Sequence, residues 1–250
     1  MPETRSGCFR AVQEKLIKGL QIRMTENDME RHGAAARHAY SPTERAAVYR
    51  AIAERRDMRH FLPDPVAPEA LHRLLWAAHH APSVGYMQPW RFIRITTRAL
   101  REAMHALVEE ERLATARALG ERAEEFMRLK VEGVLDAGEV LVVALADDRE
   151  RHVFGRRTLP EMDLASVACA IENMWLAARA EGLGLGWVSL FDPQRLAALL
   201  GMPEGAKPVA ILCIGHVEDF YPRPMLEIEQ WAERMPIDEV LGENRWPGRA

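Results

Sequence analysis

The stretch DLASVACAIENMWLAARAEGLGLGWVS, Asp163 to Ser189, decides how the rest of the chain folds. In its first part Leu164, Val167, Ala168, Ile171, Met174, Trp175 and Ala178 recur at helical spacing. No other helical stretch here is as apolar, so it predicts a central helix with Trp175 in the core and Asp163 as its cap. In the second part Gly182, Gly184 and Gly186 alternate into Trp187-Val188-Ser189, which predicts a strand. A dinucleotide-binding turn places its glycines between a strand and the helix that follows. Here the glycines precede a strand, which removes that reading. Alternating glycines leave one face of the strand bare, so a second backbone or a flat ligand can approach closely.

Working outward, Val140 to Ala146 and Val209 to Gly215 are continuous apolar runs of strand length, expected to be buried on both faces. A further strand is expected around Phe92 to Thr96. Ser41-Pro42-Thr43-Glu44 combines an N-cap serine, a proline at the first helical position and a glutamate that can close a capping box. The helix it opens is expected to bury Ala47, Val48, Ala51 and Ile52. A second helix buries Leu71, Leu74, Leu75 and Ala78. Thr97 caps a third over Leu100, Met104 and Leu107, and a highly charged helical stretch continues to about Leu135. Asp192-Pro193 starts a short helix that Gly201 ends. This mixture of helices and strands is of the α+β class.

The 250 residues suffice for one sizeable core. A net charge of -4, with both signs interspersed, excludes a nucleic-acid binder of the basic-stripe kind. The apolar runs are too short to span a bilayer and no signal-peptide pattern opens the chain, so a cytoplasmic location is expected. Cys8, Cys169 and Cys213 lack metal-ligand or redox spacing and read as reduced thiols, two of them in the core. Residues 1 to 40 form an arm whose one organised piece carries Phe9, Val12, Leu16 and Leu20, and Met24 is an alternative start. Beyond His216 the chain is acidic and punctuated by proline, with Trp231 and Trp246 as anchors.

Function is concentrated at Arg55-Arg56-Asp57-Met58-Arg59, three permanent cations around one carboxylate. Guanidinium groups present planar forks of donors that fit phosphate or carboxylate. If the helix continues through this segment, Arg55 and Arg59 share a face and Asp57 points elsewhere; if it ends here, all the side chains can turn to one pocket. A second candidate is the loop Ser83-Val84-Gly85-Tyr86-Met87-Gln88-Pro89-Trp90, which Gly85 and Pro89 keep out of helix.

Taken together and in this order, Arg55 to Arg59, Ala81 to Trp90, Pro160-Glu161-Met162-Asp163 and Gly182 to Ser189 resemble the nitroreductase-like flavoproteins over residues 41 to 246. Asp57 stands where a general nitroreductase has a small hydroxyl residue. It points to the branch that fragments reduced FMN. The resemblance implies a three-layer α/β/α sandwich with a mixed, mainly antiparallel central sheet. It also implies an arm at 1 to 40, an FMN-binding domain at 41 to 216, and an extension at 217 to 250 swapped onto the partner in a homodimer. Arg55, Arg56 and Arg59 would hold the phosphate and ribityl end of the flavin. Met58, Ser83, Met87 and Lys130 fall at further flavin contacts, and Ser189 faces the reactive edge of the ring.

The implied reaction consumes reduced FMN and dioxygen. It yields 5,6-dimethylbenzimidazole, the lower ligand of cobalamin, and erythrose 4-phosphate. Asp57 is the expected proton-transfer group, kept as a carboxylate by its arginines, with Ser189 assisting. NAD(P)H is implied only indirectly, to reduce the flavin, and a separate flavin reductase is the partner that could deliver it. Two alternatives stay open at this point. One is an NAD(P)H-dependent nitroreductase or flavin reductase that retains its FMN. The other is a flavin-binding or storage protein without catalysis.

Overall fold

The computed structural model describes residues 38–247. The Phe9 to Leu20 pattern, Cys8 and Met24 lie outside them. The chain divides into two compact units, one ending at Val48 and one beginning at Tyr49. Helix α1, Pro42–Glu54, opens with the expected capping box. Ser41 N–H and Oγ–H both donate to Glu44 Oε2 (2.9 and 2.6 Å), and Glu44 N–H returns to Ser41 Oγ (3.3 Å). The expected burial of Ala47, Val48, Ala51 and Ile52 is corrected: α1 has no buried residue, and Val48 and Ile52 are 48% and 49% exposed. An apolar stripe specifies that a helix has a face to cover, without specifying what covers it.

The second unit continues with α2 (Pro68–His79), β1 (Trp90–Arg94), α3 (Arg98–Leu119), α4 (Ala123–Arg128), β2 (Glu139–Leu145), α5 (Met162–Ala180), β3 (Gly184–Val188), α6 (Pro193–Leu199) and β4 (Lys207–Gly215). Two short helices follow, α7 (Met225–Ile228) and α8 (Ile237–Val240). The strands pair antiparallel in the order β1-β2-β4-β3. Asp57 and Leu185 form an isolated parallel bridge beside this antiparallel sheet. Pro208 lacks the N–H a ladder needs, and the β2–β4 register shifts where it pairs with Ala144.

Strand β2 is buried along its whole length, and its alternation divides two cores. Leu141, Val143 and Leu145 face α2 and α5 together with Leu71, Leu74, Ile171 and Met174. Val140 and Val142 face α3 and α6 together with Met104, Val108, Leu196 and Cys213. The result is a sheet between two helical layers, with α5 central as its composition predicts.

Several boundaries and roles differ from the sequence reading. Strand β1 begins at Trp90, two residues before Phe92. The charged helical stretch stops at Arg128 because Leu129 adopts extended backbone, well short of Leu135. Cys213 is buried, but Cys169 is exposed. Asp163 does not cap α5; it lies in the first turn, buried, where Oδ2 accepts from Arg149 Nε (2.9 Å) and Arg156 Nη2 (3.2 Å). Two guanidinium groups thus share one buried carboxylate. Asp163→Asn is expected to cost about 3 kcal/mol by leaving Arg149 without its counter-ion and Arg156 with only the exposed Glu150, measured as a lower midpoint in thermal unfolding.

Trp231 packs within its own chain, with the Arg122 guanidinium 3.5 Å from its ring centroid and Phe126 beside it. Trp246 is 90% exposed. No helix among the described residues is long and apolar enough to cross a membrane.

Candidate active site

Of the two conformations open to Arg55–Arg59, the chain adopts the one in which the helix ends. Arg55 N–H still donates to Ala51 O, but Asp57 already bridges to β3. The segment is fastened from several sides. Trp175 Nε1 donates to Arg56 O (3.0 Å), Met58 N–H donates to Leu185 O (3.0 Å), and Trp187 N–H donates to Asp57 Oδ1 (2.9 Å). The alternating glycines make this approach possible. A β-carbon on Gly186 would lie 2.2 Å from Met58 O, and one on Gly184 would lie 3.1 Å from Met58 Cγ. The close-approaching group is therefore a backbone, the first of the two options the glycines allow.

Each side chain of the segment has a distinct environment. Arg59 is buried. Its Nη2 pairs with Asp57 Oδ2 and donates to Trp187 O (2.9 Å), while Nη1 is buried without a hydrogen-bond partner. The Arg55 guanidinium lies 4.7 Å from the Trp175 ring centroid and 3.4 Å from Glu172. Its Nε is likewise buried and unpartnered. Arg56 spends its donors on carbonyls, those of Ala53, Arg55, Tyr221 and Pro222, and so acts first as a clasp on the C-terminal segment. Met58 is 1% exposed, and its side chain serves as an anchor against Gly184.

Asp57 departs from expectation in its ionisation. Its side chain keeps 42% of its surface accessible, yet the surrounding protein removes enough water that desolvation pushes the carboxyl above the ordinary aspartate range. The Arg59 charge, the Trp187 N–H and the Arg55 charge pull the other way without offsetting it. The expectation that the arginines would dominate is therefore corrected.

A cavity of about 580 Å³ opens beside the segment, lined by Arg55, Arg56, Asp57, Met225, Leu226 and Arg234 among others. That volume is within the usual range for small-molecule sites. Its three arginines outnumber its one aspartate, and its apolar wall comes from Ile52 and Ala53 of α1 and from Pro224, Met225 and Leu226 at the start of α7. Arg234, Met225 and Leu226 were not found from sequence, since nothing local in the acidic C-terminal stretch marks them as facing Arg55.

Ser189 is exposed one residue past the end of β3, two residues after the Trp187 that binds Asp57. Ser83 precedes a short turn at Val84–Tyr86 and accepts from Gln88 N–H (3.1 Å), while Met87 is half-buried in the same loop. Lys130 pairs with Asp136 at 2.7 Å. Ser189, Ser83, Met87 and Lys130 all stand apart from the cavity walls. A flavin phosphate fits the positive charge of the cavity that Arg55, Arg56 and Arg234 line.

The nitroreductase family model matches residues 52–216. The chain belongs to the nitroreductase family. Among family members it is 42% identical over 201 residues to the 5,6-dimethylbenzimidazole synthase of Rhodospirillum rubrum, covering 79% of this chain and 94% of that protein. It is 39% identical to the 5,6-dimethylbenzimidazole synthase of Rhodobacter capsulatus, covering 80% and 97%. Solved nitroreductase-family folds resemble it as well. A BluB-like flavoprotein from Clostridium difficile superimposes with a TM-score of 0.62 at 20% identity, over 79% of this chain and 99% of that one. An iodotyrosine deiodinase bound to FMN and 3-iodo-L-tyrosine gives 0.62 at 22% identity, over 79% and 98%. The branch to which Asp57 points is thus the branch of the two synthases, and the sandwich expected from the resemblance is the fold of the family.

Proposed function

We propose that this chain is a 5,6-dimethylbenzimidazole synthase that fragments reduced FMN with dioxygen. The observation that carries the reading is the Asp57 carboxylate, fixed between Arg59 and the Trp187 N–H at the wall of an arginine-lined cavity. A general nitroreductase has no need of an acid or base there. Bound reduced FMN supplies the reactivity toward dioxygen and the atoms of the product.

The protein's part is positional and protolytic. Arg55, at the cavity wall, and Arg59, paired with Asp57, hold the phosphate and ribityl end through their guanidinium charge. Met225 and Leu226 keep water from one side of the cavity. Asp57 exchanges protons with the sugar carbons, and Ser189 assists at the ring. In the homodimer we propose, the flavin lies between subunits, with Ser83, Met87 and Lys130 completing its surroundings. Reduced flavin reaches the site from a separate reductase.

The test is an anaerobic mixture of reduced FMN and protein, opened to air and analysed by mass spectrometry. 5,6-Dimethylbenzimidazole and erythrose 4-phosphate are expected. Rapid reduction of bound FMN by NAD(P)H with no benzimidazole would favour an ordinary nitroreductase, and simple reoxidation would favour a flavin store.

The raised pKa of Asp57 gives a pH prediction. A base works only when ionised, so as pH falls activity is lost at a higher pH than an ordinary aspartate would give. Initial rates of benzimidazole formation against pH check this. An acid limb at the ordinary aspartate position would show that desolvation does not control this group.

A further inference from the structure

Beyond β4, Tyr221 touches the arginine segment at two places, Arg56 and Arg59, and the next residue, His60, at a third. Its carbonyl accepts from Arg56 Nε at 3.0 Å. Its hydroxyl accepts the backbone N–H of Arg59 at 3.2 Å and lies 2.7 Å from His60 Nδ1, with the two rings edge to face. The hydroxyl is the partner that the Arg59 N–H has among the described residues, and Arg59 itself is buried. With neutral His60 protonated on Nε2, the hydroxyl can receive from Arg59 and donate to Nδ1, so every group in the chain is satisfied. A buried backbone N–H without such a partner is costly, so the phenol governs where the Arg59 backbone rests. From that backbone the Arg59 side chain reaches Asp57 and Trp187 O.

We infer that Tyr221 is a positioning residue of the flavin site, acting through Arg59 to set the guanidinium that clamps Asp57 and receives the ligand. This rests on the reading of the arginine segment as the flavin site. A phenol one loop away from the ligand thereby adjusts affinity without touching it.

The experiment is a double-mutant cycle on the full-length protein, pairing Tyr221→Phe with Arg59→Gln and reading FMN affinity by quenching of flavin fluorescence. Phenylalanine keeps the ring and removes only the hydroxyl, and thermal unfolding establishes that each variant is folded. In the wild-type background the substitution is expected to weaken FMN binding roughly five- to thirtyfold, the consequence of orphaning one buried donor. In the Arg59→Gln background the same change is expected to cost less than about twofold, because the group it acts through is gone. Equal losses in both backgrounds overturn the inference and make Tyr221 merely structural. If Tyr221→Phe does not fold, the same cycle is run with His60→Ala, which removes the acceptor that orients the hydroxyl; coupling to Arg59 supports the inference and additivity overturns it. Wild-type protein that binds no FMN overturns the flavin reading itself, a result distinct from an additive cycle in a protein that binds.

Discussion

Gly186→Ala is expected to lose flavin capture by at least about 100-fold, through a group that never meets the ligand. The new β-carbon would fall 2.2 Å from Met58 O, a main-chain atom that cannot swing aside as a side chain can. Met58 N–H is tied to Leu185 O, and Asp57 and Arg59 are tied to the two main-chain groups of Trp187. Relief requires the whole segment to lift from β3, breaking all three attachments. At about 1 kcal/mol each this is about 3 kcal/mol, or a factor of roughly 100. FMN titration and thermal unfolding, run together, check it. Gly182→Ala is the contrast: nothing lies within 4 Å of the added carbon, and only its φ of +76° makes the change unfavourable, by about 1 kcal/mol. A Gly186→Ala protein that bound FMN like wild type would mean that the segment is not seated on β3.

Asp57→Asn is expected to lower benzimidazole formation by about 100- to 10,000-fold, the usual contribution of a positioned acid or base. Its effect on binding is smaller but not zero. The carboxylate accepts from Trp187 N–H with one oxygen and from Arg59 with the other. An asparagine can satisfy only one of these donors, because its amide nitrogen faces the other. FMN affinity is therefore expected to fall, by no more than about tenfold, for one strained hydrogen bond. Single-turnover rates and equilibrium binding on the same preparation separate the two effects. The acid limb of the pH profile should disappear with the carboxylate. Full activity in the variant would reduce Asp57 to a counter-ion and move proton transfer to Ser189.

Much of the architecture can be read from local patterns, because periodicity and punctuation are local. The glycines before β3 exclude a nucleotide turn by their order alone, and the uninterrupted apolar run of β2 announces burial on both faces. What could not be read depends on contacts distant in sequence. Met58 looks like any residue in a cationic stretch until β3 is placed against it. Asp163 has the position of a cap, and only the fold brings Arg149 and Arg156 to it. The ionisation of Asp57 was misjudged for a related reason: adjacent arginines are visible in sequence, whereas the water excluded by β3 and α5 is not. Tyr221 and Arg234 reach the arginine segment from more than 150 residues away, and no pattern of their own marks them.

Cys213 lies buried in β4, where burial pushes its thiol up to about 12. Peroxide and related oxidants attack thiolates, and a thiol at that value is essentially all S–H at neutral pH. For a protein proposed to bring a reduced flavin together with dioxygen, the sheet interior is thus chemically inert to the oxidants that such a mixture leaks. Cys169, on the exposed side of α5, is the exposed thiol among the described residues. Oxidation of thiols would begin on the helical surface and leave β4 intact.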